Sequence, residues 1–287
     1  MSIFAIIGLI LFIGLFIFLG WKYMETMFFF FKKVDYSHVK IEKLRIPIRE
    51  IEINARFLYP KSKLDQNENP IEKIPLVFVN HGWNNILQMF LHLALAFCVG
   101  GEFAVLTYDC RGHGKSGGKK RLNEVLFDDV KEIIQYGSKL TGVDKKRLGF
   151  FGLSMGGMIA LTRAYKDKKI KAIVSACAPY DIKASFLSKD KPLSSRISQK
   201  LLQITTPLDL DKLSDDTNRL ISPAFFIEKD NTELNERVLV MHAKNDSLVS
   251  YSQFVKICDS LNTPKSQQIT FEKGNHGFSF QQYTLVG

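Results

Sequence analysis

The sequence has few cysteines and no pattern that would place them in a metal site. The four cysteines among the 287 residues are Cys98, Cys110, Cys177 and Cys258, and no two of them form a CxxC pair. A zinc knuckle needs closely spaced cysteine or histidine pairs, and a disulfide-stapled small domain needs a denser set. The spacing argues against both classes and predicts reduced, buried thiols.

Signatures of nucleic-acid binding are also missing. The formal net charge is +10, but no zinc-finger spacing, aromatic RNA-binding motif or helix-turn-helix pattern accompanies it. Positive charge without such a signature favours solubility or an anionic lipid surface over nucleic acid. We therefore expect no nucleic-acid partner, and apposition to a membrane is the better interpretation.

Charge is absent from Ser2 to Gly20, where isoleucine, leucine and phenylalanine dominate. About 20 residues at ~1.5 Å per residue span roughly 30 Å, the thickness of the bilayer core. A cleaved signal peptide has positive charge before the apolar run and a small-residue cleavage site after it, and this sequence has neither. Trp21, Tyr23 and several lysines follow the run instead. The sequence predicts a transmembrane helix at 1–24, a juxtamembrane segment at 25–38 and a cytoplasmic domain.

Repeats and low-complexity segments are absent, and 46% of the residues are hydrophobic, so the rest of the chain suits one large globular domain. From residue 39 to 287, short β-branched runs alternate with stretches of helical period, which predicts an α/β domain with a mostly parallel eight-stranded sheet flanked by helices. The predicted strands are Val39–Ile46, Ile51–Leu58, Ile74–Val79, Phe103–Thr107, Leu148–Phe151, Ile170–Ala176, Arg237–Met241 and Gln267–Phe271. The predicted helices are Ile86–Phe97, Glu124–Leu140, Met155–Tyr165 and Tyr251–Leu261.

The strand pattern stops between Cys177 and Arg237. About sixty residues are too many for a structureless loop within a compact domain, so we expect a cap inserted at 180–236. Its apolar residues have rough helical spacing. This spacing is typical of a helix that covers an apolar pocket, and equally of a surface helix packed on the core.

The segment Gly152-Leu153-Ser154-Met155-Gly156 follows an apolar strand and precedes a helix. This is the strand-turn-helix setting of a nucleophile elbow, in which a serine side chain is held above the edge of a sheet. Glycines on either side of the serine permit the tight turn and the close approach of strand and helix. The pattern by itself is only moderately specific, so Ser154 is a candidate nucleophile whose partners must be found.

A serine hydroxyl needs a base to remove its proton and a third group to orient that base. His276 lies in the turn after the last predicted strand, and Asp246 lies in the loop after the strand before it. Taken alone, each suits an ordinary turn. Because all three residues follow strands in the order serine, acid, histidine, we expect a catalytic triad of Ser154, Asp246 and His276. Asp211, Asp215 and Asp216 are alternative acids, although they lie within the expected cap.

Acyl transfer also needs donors for the charge that develops on the carbonyl oxygen. His81-Gly82-Trp83 follows a predicted strand. We expect the backbone N–H groups of Trp83 and Met155 to form this oxyanion hole, with His81 shaping the loop. We assign no catalytic role to a further glycine-rich turn, Asp109 to Ser116, which follows the next strand.

These motifs, NHGW, DCRGHGKSGG, GLSMGG, NDSLV and GNHGF, together resemble the α/β-hydrolase superfamily from about residue 40 onward. The resemblance is nearest to its monoglyceride-lipase, lysophospholipase and serine-aminopeptidase-like branch and to membrane-tethered microbial relatives. It implies a nucleophile at Ser154, an acid at Asp246, a base at His276 and oxyanion amides at Trp83 and Met155. Haloalkane dehalogenases and many epoxide hydrolases carry aspartate at the position of Ser154, so their chemistry is not expected.

The expected function is hydrolysis of carboxylic esters, with a lipophilic acyl ester such as a monoacylglycerol or lysophospholipid as the substrate class that the resemblance implies. No cofactor or metal is needed for this chemistry. A serine aminopeptidase remains an alternative. A carboxylate in the cap that binds the amine of a substrate would support it, and the candidates are Asp209, Asp211, Asp215 and Asp216. A membrane-anchored binding protein without catalytic activity is a third interpretation.

Overall fold

The computed structural model describes residues 8, 11–15, 17–18, 35–187, 196–197, 199–200 and 213–278. The chain divides into two compact units, Met1–Tyr36 and Ser37–Gly287. The second unit contains the sheet and all of the candidate site residues.

The first unit includes the whole of the predicted membrane anchor. Its described residues 8, 11–15 and 17–18 are helical, and large apolar side chains among them, such as Leu11 and Phe12, are exposed. The rest of the transmembrane helix predicted at 1–24, and nearly all of the segment predicted at 25–38, lie outside the described residues. Among the residues that the structure does describe, no helix is both long enough and apolar enough to cross a membrane.

The second unit is built on an eight-stranded sheet in the order β1-β2-β4-β3-β5-β6-β7-β8. The strands are β1 (Val39–Ile48), β2 (Ile51–Pro60), β3 (Ile74–Asn80), β4 (Ala104–Tyr108), β5 (Val143–Leu153), β6 (Ile170–Ala176), β7 (Val238–Ala243) and β8 (Gln268–Phe271). The pairs β1–β2 and β2–β4 are antiparallel, and the other five are parallel. The mostly parallel eight-stranded sheet is therefore as predicted. The largest difference is at β5, which begins five residues early because Val143 pairs with Ile74 before the register shifts.

Helices connect the parallel strands. They are α1 (Leu91–Gly100), α2 (Glu124–Gly137), α3 (Met155–Ile159), α4 (Ile182–Leu187), α5 (Asp215–Ile221), α6 (Thr232–Asn235) and α7 (Tyr251–Leu261). The four helices predicted from the sequence are present, with two local changes. The first begins as a 3₁₀ turn at Leu87–Phe90 before α1, and the third continues beyond α3 as a π-helix at Ala160–Ala164.

The core lies on both faces of the central strands. In β4 the consecutive residues Ala104, Val105 and Leu106 are all fully buried. Because successive side chains of a strand point to opposite faces, helices must cover both sides of this strand. The amphipathic helix α2 supplies part of that cover through buried residues such as Phe127 and Ile133. A central strand such as β4 therefore presents only its ends to solvent, and the loops at the carboxyl ends of the parallel strands lie at one edge.

The stretch between β6 and β7, where a cap is expected at 180–236, is helical in its described parts. It contains α4, α5, a 3₁₀ turn at Pro223–Phe225 and α6. Arg163 fixes α5 to the domain, because its guanidinium donates to the carbonyl oxygen of Leu220 at 2.6 Å and to Asp128 in α2 at 2.8 Å. For α5, this supports the interpretation of a helix packed on the core.

Candidate active site

The turn from β5 into α3 holds Ser154 in a strained backbone conformation. The residue has φ 55° and ψ −112°, a region that non-glycine residues rarely adopt. Its N–H donates to the carbonyl oxygen of Ala176 at 2.7 Å, and its carbonyl oxygen accepts from Met158 at 3.0 Å. The turn is therefore fixed on one side by β6 and on the other by the helix. A partly exposed hydroxyl results at the switch point between β3 and β5, where ligands bind in open α/β sheets.

Two glycines permit this turn. A Cβ on Gly152 would collide with the backbone of Gly156, and a Cβ on Gly156 would collide with the carbonyl oxygen of Asn80 at the end of β3. Both contacts are with backbone atoms, which cannot move aside without separating the strand from the helix. The sequence pattern around Ser154 therefore has a direct steric cause.

The structure brings the three predicted triad residues together. His276 Nε2 lies 2.9 Å from Ser154 Oγ, and His276 Nδ1 lies 2.8 Å from Asp246 Oδ2. Since the carboxylate accepts, Nδ1 carries the proton of a neutral imidazole, and the Nε2 lone pair faces the serine hydroxyl. This is the arrangement in which a histidine can take the proton of a nucleophile.

The Asp246 side chain is fully buried and is held as a carboxylate by its donors. Oδ1 accepts the N–H groups of Leu248 and Val249, both at 2.8 Å, which leaves Oδ2 for His276. Burial alone would raise the pKa of Asp246. The charge and the hydrogen bond of His276, together with the N–H of Val249, outweigh burial and lower the pKa below its usual value. The acid is therefore charged at neutral pH.

The acid and histidine loops are also joined through side-chain amides. Asn275 Oδ1 accepts from the N–H of Ser247 at 3.0 Å, and the N–H of Asn275 donates to Asn245 Oδ1 at 2.9 Å. Asn275 has φ 51°, a left-handed conformation that asparagine tolerates better than most residues. These contacts fix the position of His276 relative to Asp246. Neither asparagine was predicted from the sequence to be part of the site, although Asn245 directly precedes Asp246 and Asn275 directly precedes His276.

The predicted oxyanion residues lie on either side of Ser154. Met155 follows it in the chain and is buried. Trp83 follows Gly82, at which a Cβ would lie 3.3 Å from the Cβ of Ser154. The loop after β3 therefore runs directly beside the nucleophile. The role of these two amides as oxyanion donors remains a prediction.

Two buried histidines support the Trp83 loop. His81 Nε2 accepts the N–H of Cys110 at 2.9 Å, and its Nδ1 faces the carbonyl oxygen of Gly82 at 2.7 Å. Burial, followed by the charge of His113, lowers the pKa of His81 to about 4, so the ring is neutral at pH 7. His113 Nε2 lies 2.5 Å from the carbonyl oxygen of Trp83. Both rings bind backbone atoms and shape the loop, as expected for His81.

The alternative acids have other partners or lie outside the described residues. Asp215 is exposed and pairs with Lys183 at 2.5 Å, and Asp216 is exposed at the start of α5. Asp211 falls outside the described part of the chain, as does Asp209. The structure thus places Asp246, and none of the described alternatives, against His276.

A buried thiol is also close to the triad. Cys177, at the end of β6, lies with Asp246 and His276 in a group whose ligand atoms are all within 4.8 Å of one another. Burial raises the pKa of the Cys177 thiol well above its usual value, and the thiol hydrogen-bonds the Asp246 carboxylate. A metal ligand would need to be a thiolate. The group is therefore better described as a protonated thiol beside the acid than as a metal site.

Comparison with known proteins gives relatives that match part of the chain. A protein of Escherichia coli described as an uncharacterized 31.7 kDa protein in the traX-finO intergenic region is 36% identical over 109 residues. The match covers 37% of this chain and 38% of that protein. The chain thus aligns with well under half the length of the first curated relatives.

Solved structures share the fold over most of the chain. Acetyl xylan esterase 1 from Thermoanaerobacterium sp. JW/SL YS485 has a TM-score of 0.56 and 17% identity, with 89% of this chain and 85% of that chain covered. The acylaminoacyl peptidase of Pyrococcus horikoshii has a TM-score of 0.61 and 17% identity, with 89% of this chain and 40% of that chain covered. Together with the sheet order, these likenesses show the α/β-hydrolase fold.

A family model for the prolyl oligopeptidase family, Peptidase_S9, matches residues 91–285, more than half of the chain. The matched residues include Ser154, Asp246 and His276. The match is to this family, whereas the motifs resemble the monoglyceride-lipase branch. The chain therefore has the α/β-hydrolase fold and belongs to the prolyl oligopeptidase family.

Proposed function

We propose that this protein hydrolyses carboxylic esters through an acyl-enzyme on Ser154. The observation that carries the proposal is the continuous hydrogen-bond chain from Ser154 Oγ through His276 to the buried Asp246 carboxylate. Each member lies in a turn or loop that other contacts hold in place, so the three groups are arranged before a substrate arrives.

In the first half of the reaction, His276 Nε2 takes the proton of the Ser154 hydroxyl as Oγ bonds to the carbonyl carbon of the ester. The N–H groups of Trp83 and Met155 would donate to the carbonyl oxygen as it gains negative charge. When the intermediate collapses, the bond to the leaving alcohol breaks and His276 returns its proton to that alcohol. The Asp246 carboxylate stabilises the imidazolium between these steps.

In the second half, a water molecule replaces the alcohol. His276 removes a proton from the water as its oxygen attacks the acyl carbon. The bond between the acyl carbon and Oγ then breaks, and the proton passes back to Ser154. A carboxylic acid leaves, and the free hydroxyl is restored. Every proton in the cycle passes through the one imidazole.

The proposed substrate class is a lipophilic acyl ester, such as a monoacylglycerol or a lysophospholipid. Support comes from the resemblance of the motifs to lipid-ester hydrolases and from the apolar N-terminal run. We also propose that residues 1–24 tether the protein to a membrane, with the hydrolase domain in the cytoplasm. Protease added outside intact cells should leave the domain intact, and digestion of the domain would contradict this orientation.

A fluorophosphonate probe tests the acyl-enzyme chemistry. We expect the full-length protein to be labelled at Ser154 and the Ser154→Ala variant to remain unlabelled. Ser138→Ala is the matched control, because Ser138 follows α2 and thus lies toward the opposite edge of the sheet. Absence of labelling in the wild-type protein would favour the non-catalytic binding protein.

Peptide cleavage is the second candidate, and the family match favours it. A terminal peptidase needs a group that binds the substrate amine. Asp215 is a poor candidate for that role because it already pairs with Lys183. Acyl esters of increasing chain length, compared with aminoacyl-arylamides, separate the two functions. A higher kcat/KM for the arylamides would overturn the esterase proposal.

A further inference from the structure

A third buried histidine neither shapes the Trp83 loop nor takes part in the mechanism above. His242 lies in β7, four residues before Asp246, and its side chain is 1% exposed. The ring packs against Tyr251 and Phe254 of α7, with centroid distances of 6.1 and 5.9 Å. An aromatic or aliphatic residue would fill such a position without a polar atom, so the presence of an imidazole needs a cause.

The partners of His242 define its protonation state. Nε2 lies 2.9 Å from the carbonyl oxygen of Val249, which can only accept, so Nε2 carries a proton. Burial lowers the pKa of His242 despite the nearby charge of Asp246, and the ring is therefore neutral. Nδ1 is then an acceptor, and it is buried without a hydrogen-bond partner among the described residues.

An unpaired buried acceptor destabilises the folded state, because it loses its hydrogen bonds to water without gaining a partner. A leucine or phenylalanine at this position would avoid that cost, so packing alone does not explain the imidazole. The useful atom must be the Nε2–H group, which is the one polar atom of the ring with a partner.

The same Nε2 faces the catalytic machinery. It lies 3.5 Å from Asp246 Oδ2, the oxygen that accepts from His276. Its main partner, the carbonyl oxygen of Val249, belongs to the residue whose N–H donates to Asp246 Oδ1. The His242 ring therefore contacts the acid directly and also holds the backbone that fixes the other oxygen of the acid.

We propose that His242 is a positioning residue of the hydrolase, whose Nε2–H group holds the Val249 carbonyl and keeps Oδ2 of Asp246 directed at His276. This inference rests on the proposed function, because it assigns His242 an effect on the base through the acid. It differs from a purely structural role in one respect: the effect of His242 on turnover must depend on the Asp246 carboxylate.

The test compares two variants. His242→Leu removes the N–H group, whereas His242→Gln keeps one, because its amide nitrogen is the same number of bonds from Cβ as Nε2 of histidine. With an activated ester, we expect His242→Leu to lower kcat by roughly 10-fold to 100-fold with KM changed less than about twofold, as for other groups that orient a reacting residue. His242→Gln should recover kcat to within about threefold of the wild type. Phe254→Leu is the matched control: it disturbs the packing around the same ring but keeps Nε2–H, so it should lower the melting temperature with little change in kcat.

A double-mutant cycle supplies the decisive result. In an Asp246→Asn background, His242→Leu should lower kcat by less than about threefold, because its target is already lost. The inference would be overturned if His242→Leu lowered kcat as much in the Asp246→Asn background as in the wild type, or if His242→Leu alone kept the kcat of the wild type.

If His242→Leu does not fold, His242→Asn replaces it, because the shorter amide cannot reach Val249. Equal kcat values for the Asn and Gln variants would then overturn the inference. Failure of the proposed function is distinguishable, because the wild-type protein would then not be labelled at Ser154.

Discussion

Two groups of side chains flank Ser154, and each contains one aspartate and two histidines. On the acid side, Asp246 accepts two backbone N–H groups through Oδ1 and keeps Oδ2 for His276. On the oxyanion side, Asp109 Oδ1 accepts from the N–H of Leu87, and Oδ2 accepts from Asn54 and from the N–H of Lys115. The first aspartate retains an oxygen for a base, whereas both oxygens of the second hold loops together.

The histidines differ in the same way. His276 connects a carboxylate to a hydroxyl and is partly exposed, so its lone pair is available for proton transfer. His81 and His113 bind backbone atoms of the loops after β3 and β4 and are buried. The hydrogen-bond partners of a histidine or aspartate therefore decide whether it takes part in proton transfer or holds a loop in place. Four changes test this division between the two sides.

Removal of the nucleophile should have the largest effect. Ser154→Ala leaves both groups in place but removes the atom on which they act. We expect kcat for an activated ester to fall by about 10⁶-fold, as in other triad enzymes. Steady-state kinetics with the purified protein measures the loss, and unchanged thermal unfolding would show that the fold is intact. Substantial esterase activity in this variant would remove Ser154 from the mechanism.

The acid-side aspartate should come next. In Asp246→Asn, the amide oxygen can still accept from Leu248 and Val249, which directs the NH₂ group at His276 and favours the wrong tautomer. We expect kcat to fall by about 10⁴-fold with a much smaller loss of stability. Kinetics and urea unfolding on the same preparation separate the two quantities. A loss of stability without a loss of kcat would assign Asp246 to the supporting class.

The oxyanion-side aspartate should give the reverse result. Both carboxylate oxygens of Asp109 accept from backbone N–H groups. In Asp109→Asn, the NH₂ group replaces one of these oxygens, so it faces an N–H group and the buried hydrogen bond there is lost. We expect the free energy of unfolding to fall by about 3 kcal/mol and kcat by less than about tenfold. Urea unfolding provides the measurement. A loss of kcat comparable to that of Asp246→Asn would break the comparison.

The pH dependence of stability should be the smallest effect. The pKa of His81 is lowered from 6.5 to about 4 in the folded protein. At pH values between these two, His81 therefore binds a proton in the unfolded chain but not in the folded protein. The free energy of unfolding should therefore fall as the pH falls through this window, by about 2 kcal/mol between pH 7 and pH 5 for this residue. His113 and His242 have lowered pKa values too and act in the same direction.

His81→Asn isolates the contribution of this residue. The variant carries no titrating group at position 81, so its free energy of unfolding should change less between pH 7 and pH 5 than that of the wild type. Urea unfolding at the two pH values gives the difference directly. An equal pH dependence in both proteins would show that His81 is protonated in the folded state.

Much of the fold could be predicted from the sequence because the hydrophobic pattern is clear. The eight strands and four helices occur near their predicted positions, and Gly152 and Gly156 have the steric role that the motif suggests. The order of Ser154, Asp246 and His276 along the chain was enough to select them, since each follows a strand of a parallel sheet.

Other features had no local signal. The π-helix after α3 depends on how the chain packs against neighbouring strands, and the sequence pattern there is helical in either case. Cys177 and His242 were missed because nothing in their neighbouring residues shows that Asp246 lies beside them. The linkage of the two loops through Asn245 and Asn275 likewise needs both loops in place.

By itself, the sequence determined the parallel sheet, the nucleophile turn and the identity of the three residues at the strand ends, because periodicity and glycine spacing act locally along the chain. Only the tertiary structure decided which oxygen of Asp246 is kept for His276 and whether the three side chains meet at hydrogen-bonding distance. Those choices depend on hydrogen bonds between segments up to 122 residues apart, and no local pattern records which donors will occupy a buried carboxylate.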